Sequence, residues 1–203
     1  MKIFTLCDNR KKGNFKAGWG FSCFFSPYKI IFDTGPDKEI LEHNSKIFGI
    51  KKEEINYCFI SHLHADHTGG LNWLSKKTII FFPEGYDNSI KGISTFVFDY
   101  PIKEQSLIFE REKVMVVGCS HPGIVKMAEA VYKKYGKIKL IIGGFHLLGL
   151  EKVEVKKIAE KLKEFTEKIA PSHCTGEEAI KTFKSVFKDK FIENYSGKVI
   201  EIK

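Results

Sequence analysis

A chain of 203 residues suits one domain, here 1–203, with a sizeable core and leaves a second domain cramped. An apolar content of 43%, a charged content of 29% and five cysteines without a Cys-x-x-Cys pair exclude a disordered chain, a disulfide framework and a zinc ribbon. The net charge of +8 is almost all lysine, with Arg10 and Arg111 the two arginines, and the lysines are mixed with glutamates as in residues 151–157; this reads as a solvated surface that steers anionic small molecules, not as a nucleic-acid grip built from arginine forks.

No apolar run approaches the ~20 residues a bilayer span needs, and the first residues are interrupted too soon by Asp8 to be a secretory signal. The expected address is the cytoplasm, with no membrane partner. Cys7, Cys23 and Cys58 read as small buried hydrophobes, whereas Cys119 and Cys174 stand beside histidines. Oligomeric state leaves no signature.

Taken in order, residues 2–6, 20–25 and 29–32 are β-rich runs, with Ser26-Pro27 turning between the last two. Residues 33–37 form a loop, and Lys38–Phe48 has helical spacing through Ile40, Leu41, Ile47 and Phe48. A strand at 55–60 is followed by a short helix at 70–74 and a strand at 78–82. Residues 93–98, 106–110 and 114–117 are further strands. The second half alternates helix and strand: a stripe of Ile124, Ala128, Val131 and Tyr135, a strand at 138–142, and a stripe of Ile158, Leu162, Phe165 and Ile169. A short strand begins at 168–170, a helix covers Glu177–Phe187, and 191–202 has the form of a hairpin around Ser196-Gly197. Strands and helices so interleaved predict an α/β layered domain.

Histidines recur where these strands end: His62 after Ile60, His121 after Val117, His146 after Ile142 and His173 after Ala170. Strand ends are where open α/β layers build their sites. Three of the seven histidines fall in Ser61-His62-Leu63-His64-Ala65-Asp66-His67. Imidazole and carboxylate suit zinc, and also manganese or iron. Histidines two apart in extended chain point the same way, while neighbours point differently, so one short loop can serve two metal positions.

The run Ser-His-Leu-His-Ala-Asp-His-Thr-Gly-Gly resembles the His-x-His-x-Asp-His signature of the metallo-β-lactamase superfamily. Ile31-Phe-Asp-Thr-Gly35 is similar to its early Asp-x-Gly turn, and Pro171-Ser-His-Cys-Thr-Gly176 to its late Pro-x-His segment. The resemblance implies a four-layer αββα sandwich. It also implies His62 and His64 on one metal, Asp66, His67 and His173 on a second, and Asp33 orienting the ligands from behind. Where most dinuclear members carry a bridging aspartate after a glycine, this chain has Gly118-Cys119-Ser-His-Pro-Gly123; His121 is the expected third ligand of the first metal, with Cys119 as the alternative. The segments around His121, His146 and His173, with Asp8-Asn9 and residues 104–107, are similar to the dihydropterin ribofuranosyl-aminobenzene phosphate synthase-like hydrolases. Trp19 stands where that branch has a histidine, and the chain is shorter than its members.

The expectation is a binuclear hydrolase that uses metal-activated hydroxide on an ester-type bond. A cyclic phosphodiester or another phosphorylated small molecule leads, with Asp66 and His146 as catalytic groups. His146 has a second reading, a hydrogen-bonded scaffold histidine. Two other functions are carried beside this one. A di-iron redox protein on the same scaffold has Glu where this chain has His64. The third is a non-catalytic module that binds metal or nucleic acid.

Overall fold

The structure is a computed structural model that describes residues 1–84, 86 and 89–202. In chain order its strands are β1 (Lys2–Cys7), β2 (Ser22–Ser26), β3 (Ile30–Phe32), β4 (Tyr57–Phe59), β5 (Ile79–Phe81), β6 (Ile93–Phe98), β7 (Glu104–Phe109), β8 (Val114–Val117), β9 (Ile138–Gly144), β10 (Thr166–Ser172) and β11 (Val199–Glu201). The helices are α1 (Lys38–Phe48), α2 (Ala65–Thr68), α3 (Ile124–Tyr135), α4 (Lys152–Phe165) and α5 (Glu177–Phe187). Two compact units result, Met1–Gly85 with Asn194–Lys203, and Tyr86–Glu193. Among the described residues no helix is long and apolar enough to cross a membrane.

The first unit is built on a six-stranded sheet in the order β11-β1-β2-β3-β4-β5. β1 pairs antiparallel with β11 and β2, and β2 with β3, whereas β3-β4 and β4-β5 are parallel. Parallel neighbours need a crossover, and α1 supplies the one between β3 and β4. Asp37 caps α1 by accepting the Ile40 N–H at 2.8 Å, and Gly49 ends it at φ 71°. Its apolar stripe buries Leu41 with Leu6, Ile31, Ile55 and Ile60.

The second unit is built on a five-stranded sheet in the order β10-β9-β8-β7-β6. β6-β7 and β7-β8 are antiparallel, and β8-β9 and β9-β10 parallel. Its core joins Met115, Val117 and Ile141 from strands with Met127, Val131, Leu162 and Phe183 from α3, α4 and α5. α3, α4 and α5 have no side-chain hydrogen bond at their N-caps, so packing of their apolar stripes is what holds them.

Three sequence expectations are corrected. Ile169 does not extend the stripe of α4: the helix stops at Phe165 and Ile169 lies in β10, paired in parallel register with Ile141. Residues 191–202 form no hairpin. Phe191 bridges Ile169 and the Ile192 N–H donates to its carbonyl, while Val199–Glu201 pairs with β1 and Ser196 bridges Lys11. The short helix expected at residues 70–74 is a 3₁₀ turn at Leu71–Trp73, and the α-helical turn lies earlier, inside the histidine cluster, as α2. The first two outcomes depend on partners distant in sequence.

Candidate functional site

In the first unit the chain leaves β4 at Phe59 and enters the histidine loop. Ser61, His62 and His67 are buried. Behind them Asp33 follows β3 with φ 54° and donates its N–H to the Phe59 carbonyl at 2.8 Å. Its Oδ1 accepts the Ser61 N–H at 2.6 Å, and its Oδ2 accepts the Ser61 hydroxyl at 2.7 Å and lies 2.7 Å from His67 Nδ1. Because the Ser61 proton goes to Asp33, the hydroxyl oxygen is left to accept from His62 Nδ1, 2.9 Å away. Both imidazoles are therefore held as Nδ1–H tautomers with the Nε2 lone pair available, the state a metal ligand needs.

The donor atoms have ligand spacing. His62 Nε2 and His64 Nδ1 are 3.1 Å apart, and two nitrogens on one tetrahedral zinc stand about 3.3 Å apart. His67 Nε2 and Asp66 Oδ2 are 3.6 Å apart. The set of three imidazoles and one carboxylate fits one or two divalent cations. Its backing is rigid: the Thr34 N–H and hydroxyl both donate to the His67 carbonyl, at 2.8 and 3.0 Å. A Cβ on Gly69 would stand 1.8 Å from Pro36 O, and one on Gly70 2.3 Å from Thr34 O. The Gly69-Gly70 pair thus lets the Asp33 turn and the histidine loop touch backbone to backbone.

In the second unit the donors come from separate strand ends. Glu104, fully buried at the start of β7, organises the turn after β8. Its Oε1 accepts the N–H groups of Cys119 (2.9 Å) and Ser120 (2.7 Å). Its Oε2 accepts the His121 N–H and faces His121 Nδ1, both at 2.9 Å. His121 is thereby also an Nδ1–H tautomer with Nε2 available. Cys119 Sγ lies within 4.8 Å of a donor atom on each of His121, His146, His173 and Cys174, and the His121 and His146 rings are 4.5 Å apart. Ser120, His146 and His173 all have positive φ, 63°, 53° and 50°, a strain of about 1–3 kcal/mol each that clusters at functional sites.

The cysteines divide in two. All five are free, and burial pushes the thiols of Cys7, Cys23 and Cys58 up, which makes them inert packing groups. Cys174 goes the other way. Hydrogen bonding from the Cys119 side chain, then from His146, outweighs burial and holds it well below the usual thiol range. His146 is raised above an ordinary histidine, first by its hydrogen bond with Cys174, against desolvation, and then by the charges of Cys174 and Glu104.

Of the residues singled out in the sequence, His62, His64, Asp66 and His67 gather in the first unit in front of Asp33. Cys119, His121, His146 and His173 gather in the second, with Cys119 and His121 as adjacent donors. Sequence reasoning assigned Glu104 no role of its own. Its one local signal is an acid opening a buried strand.

Comparison with known proteins follows the same lines. The family model of the Anti-Pycsar protein Apyc1 matches residues 25–86, a stretch that carries Asp33 and the histidine loop. Two relatives are from Methanocaldococcus jannaschii. One, the uncharacterized protein MJ0448, is 26% identical and covers 98% of this chain and 100% of its own. The other, a 7,8-dihydropterin-6-methyl-4-(β-D-ribofuranosyl)-aminobenzene-5′-phosphate synthase, is 28% identical over 99% of this chain and 96% of its own. Their alignments run over 259 and 283 residues, so both relatives carry insertions that this chain lacks. Among solved structures, Tm1679, a metal-dependent hydrolase of the β-lactamase superfamily, superposes with a TM-score of 0.85 at 26% identity, covering 100% of this chain and 99% of its own. The metallo-β-lactamase fold protein YhfI from Bacillus subtilis gives 0.63 at 15% identity, covering 98% and 99%, a likeness of fold alone.

Proposed function

From the premise that this chain is a metallo-β-lactamase-fold, metal-dependent hydrolase, we propose that it cleaves an ester-type bond in a phosphorylated small molecule, foremost a cyclic phosphodiester, at a binuclear centre. His62, His64 and His121 hold one cation, and Asp66, His67 and His173 the other. Zinc comes ahead of manganese or iron for this imidazole-rich set. The observation that carries the proposal is the histidine loop: His62 Nε2 and His64 Nδ1 stand 3.1 Å apart, and Ser61 and Asp33 set the His62 and His67 tautomers from behind.

A bound divalent cation supplies hydroxide at neutral pH and polarises the electrophile's oxygen. Asp33 and Glu104 hold His67 and His121 through Nδ1 and aim their Nε2 atoms. Asp66 orients the attacking water. His146, exposed and held protonated to higher pH than a free imidazole, donates a proton to the leaving oxygen. A phosphorylated substrate is supported by the net charge of +8 and by the phosphate in the name of the 28% identical relative. Five free thiols suit a reducing, cytoplasmic setting.

The test is elemental analysis of the purified chain together with a panel of phosphodiester, lactone and thioester substrates. Two bound ions per chain and turnover of a phosphodiester are expected. Retention of metal and activity by His62→Ala and His67→Ala variants would make the assignment wrong.

A further inference from the structure

The second unit contains a donor group that the hydrolytic ligand set does not use. The geometry points to a further site for a soft d¹⁰ cation at the edge of the hydrolytic ligands, formed by Cys119 Sγ, Cys174 Sγ and a ring nitrogen of His146. These three donor atoms all lie within 4.8 Å of one another, and Cys119 Sγ also stands within 4.8 Å of donor atoms on His121 and His173. On a tetrahedral zinc two sulfurs stand about 3.8 Å apart, and a sulfur and a nitrogen about 3.6 Å. Closing onto an ion therefore asks for a contraction of no more than about 1.2 Å.

The loops that carry the three donors are stitched to one another. The Cys119 N–H is held by Glu104, and the next residue's hydroxyl, Ser120 Oγ, donates to the Gly144 carbonyl at 2.7 Å. The N–H groups of Leu147 and Leu148, on the far side of His146, donate to the Cys174 carbonyl at 3.2 and 3.3 Å. Cys174 Sγ lies 3.5 Å from the Cys119 carbonyl. Gly144 makes the space: a Cβ there would come within 2.6 Å of Cys174 Sγ. Both sulfurs are buried while His146 is exposed, so the imidazole forms the open side by which an ion gains access, with a fourth coordination position left over. Two thiolates and one imidazole select zinc or cadmium over magnesium, calcium or manganese. The other three cysteines, Cys7, Cys23 and Cys58, belong to the first unit and are fully buried.

The consequence for catalysis rests on the hydrolase reading. With its nitrogen on a cation, His146 can no longer give a proton to a leaving group, so excess soft cation inhibits turnover.

The experiment is titration of the reduced, metal-free chain with Cd²⁺, read by the thiolate-to-cadmium charge-transfer absorption in the ultraviolet. One equivalent is expected to produce a band with the amplitude of two thiolates. Cys174→Ser should cut that amplitude by half or more, Cys119→Ser/Cys174→Ser should abolish it, and His146→Ala should weaken binding by at least about tenfold. His64→Ala/Asp66→Asn, which strips donors from the hydrolytic centre, should leave the band unchanged. Cadmium-113 NMR of the unmodified chain reports the same two-sulfur environment without any variant. The proposal is overturned if no band forms, if Cys174→Ser leaves it intact, or if His64→Ala/Asp66→Asn removes it, since Cys119 would then belong to the hydrolytic centre. A normal band beside fully active His62→Ala and His67→Ala variants would sink the hydrolase reading alone.

Discussion

In the first unit every candidate metal donor comes from residues 62–67, whereas in the second the donors stand at the ends of β8, β9 and β10, more than fifty residues apart. Both units nevertheless use the same device. A fully buried carboxylate, Asp33 in one and Glu104 in the other, takes backbone N–H groups from a turn and fixes a histidine through Nδ1. The contrast teaches that a compact donor loop and a dispersed one need the same second layer. In each, the carboxylate converts flexible imidazoles into aimed ligands by satisfying their far nitrogens.

The comparison can be broken most forcibly at the ligands. Combining His62→Ala with His67→Ala should cost turnover more than the roughly 10²–10³-fold that follows loss of one oxyanion donor, with loss of bound metal measured in parallel. A merely structural histidine loop would keep its metal count. Next, His146→Ala should lower kcat by about 10²–10⁴-fold while the metal content stays constant, the signature of a lost proton donor; unchanged kcat would return His146 to a scaffold role.

The two carboxylates offer the sharper test. Asp33→Asn and Glu104→Gln preserve shape but cannot hold the same tautomers, and each should weaken metal binding by about 10–100-fold, read by competition with a chelator. Equal effects would establish the common device, and a silent Glu104→Gln would confine it to the first unit. The smallest effect concerns helix caps. Asp37→Ala should destabilise by about 1 kcal/mol in urea unfolding, since it frees the Ile40 N–H. Glu151→Ala, at an N-cap without a side-chain hydrogen bond, should stay within about 0.5 kcal/mol.

Legibility in the sequence followed locality. α1 and α5 lie where spacing predicts them, Lys38–Phe48 and Glu177–Phe187, because a 3.6-residue apolar period is a property of the segment itself. Ile169 continues the period of α4 yet sits in a strand, and residues 191–202 have hairpin punctuation yet pair elsewhere; in both cases a distant partner outweighed the local pattern. The same holds for the site. The histidine loop is readable because its ligands are neighbours in the chain. Glu104 is not, because its meaning lies in bonds to residues fifteen to seventeen positions away.

The histidine loop, its choice of imidazole and carboxylate, and the run of strands and helices that carries it were determined by the sequence alone, through residue chemistry and short-range periodicity. Which tautomers those imidazoles adopt was decided by tertiary structure, and so was the gathering of Cys119, His121, His146, His173 and Cys174 in one place. Both depend on buried carboxylates and backbone contacts between strand ends, and the free energy of such contacts exists only once distant segments have been brought together.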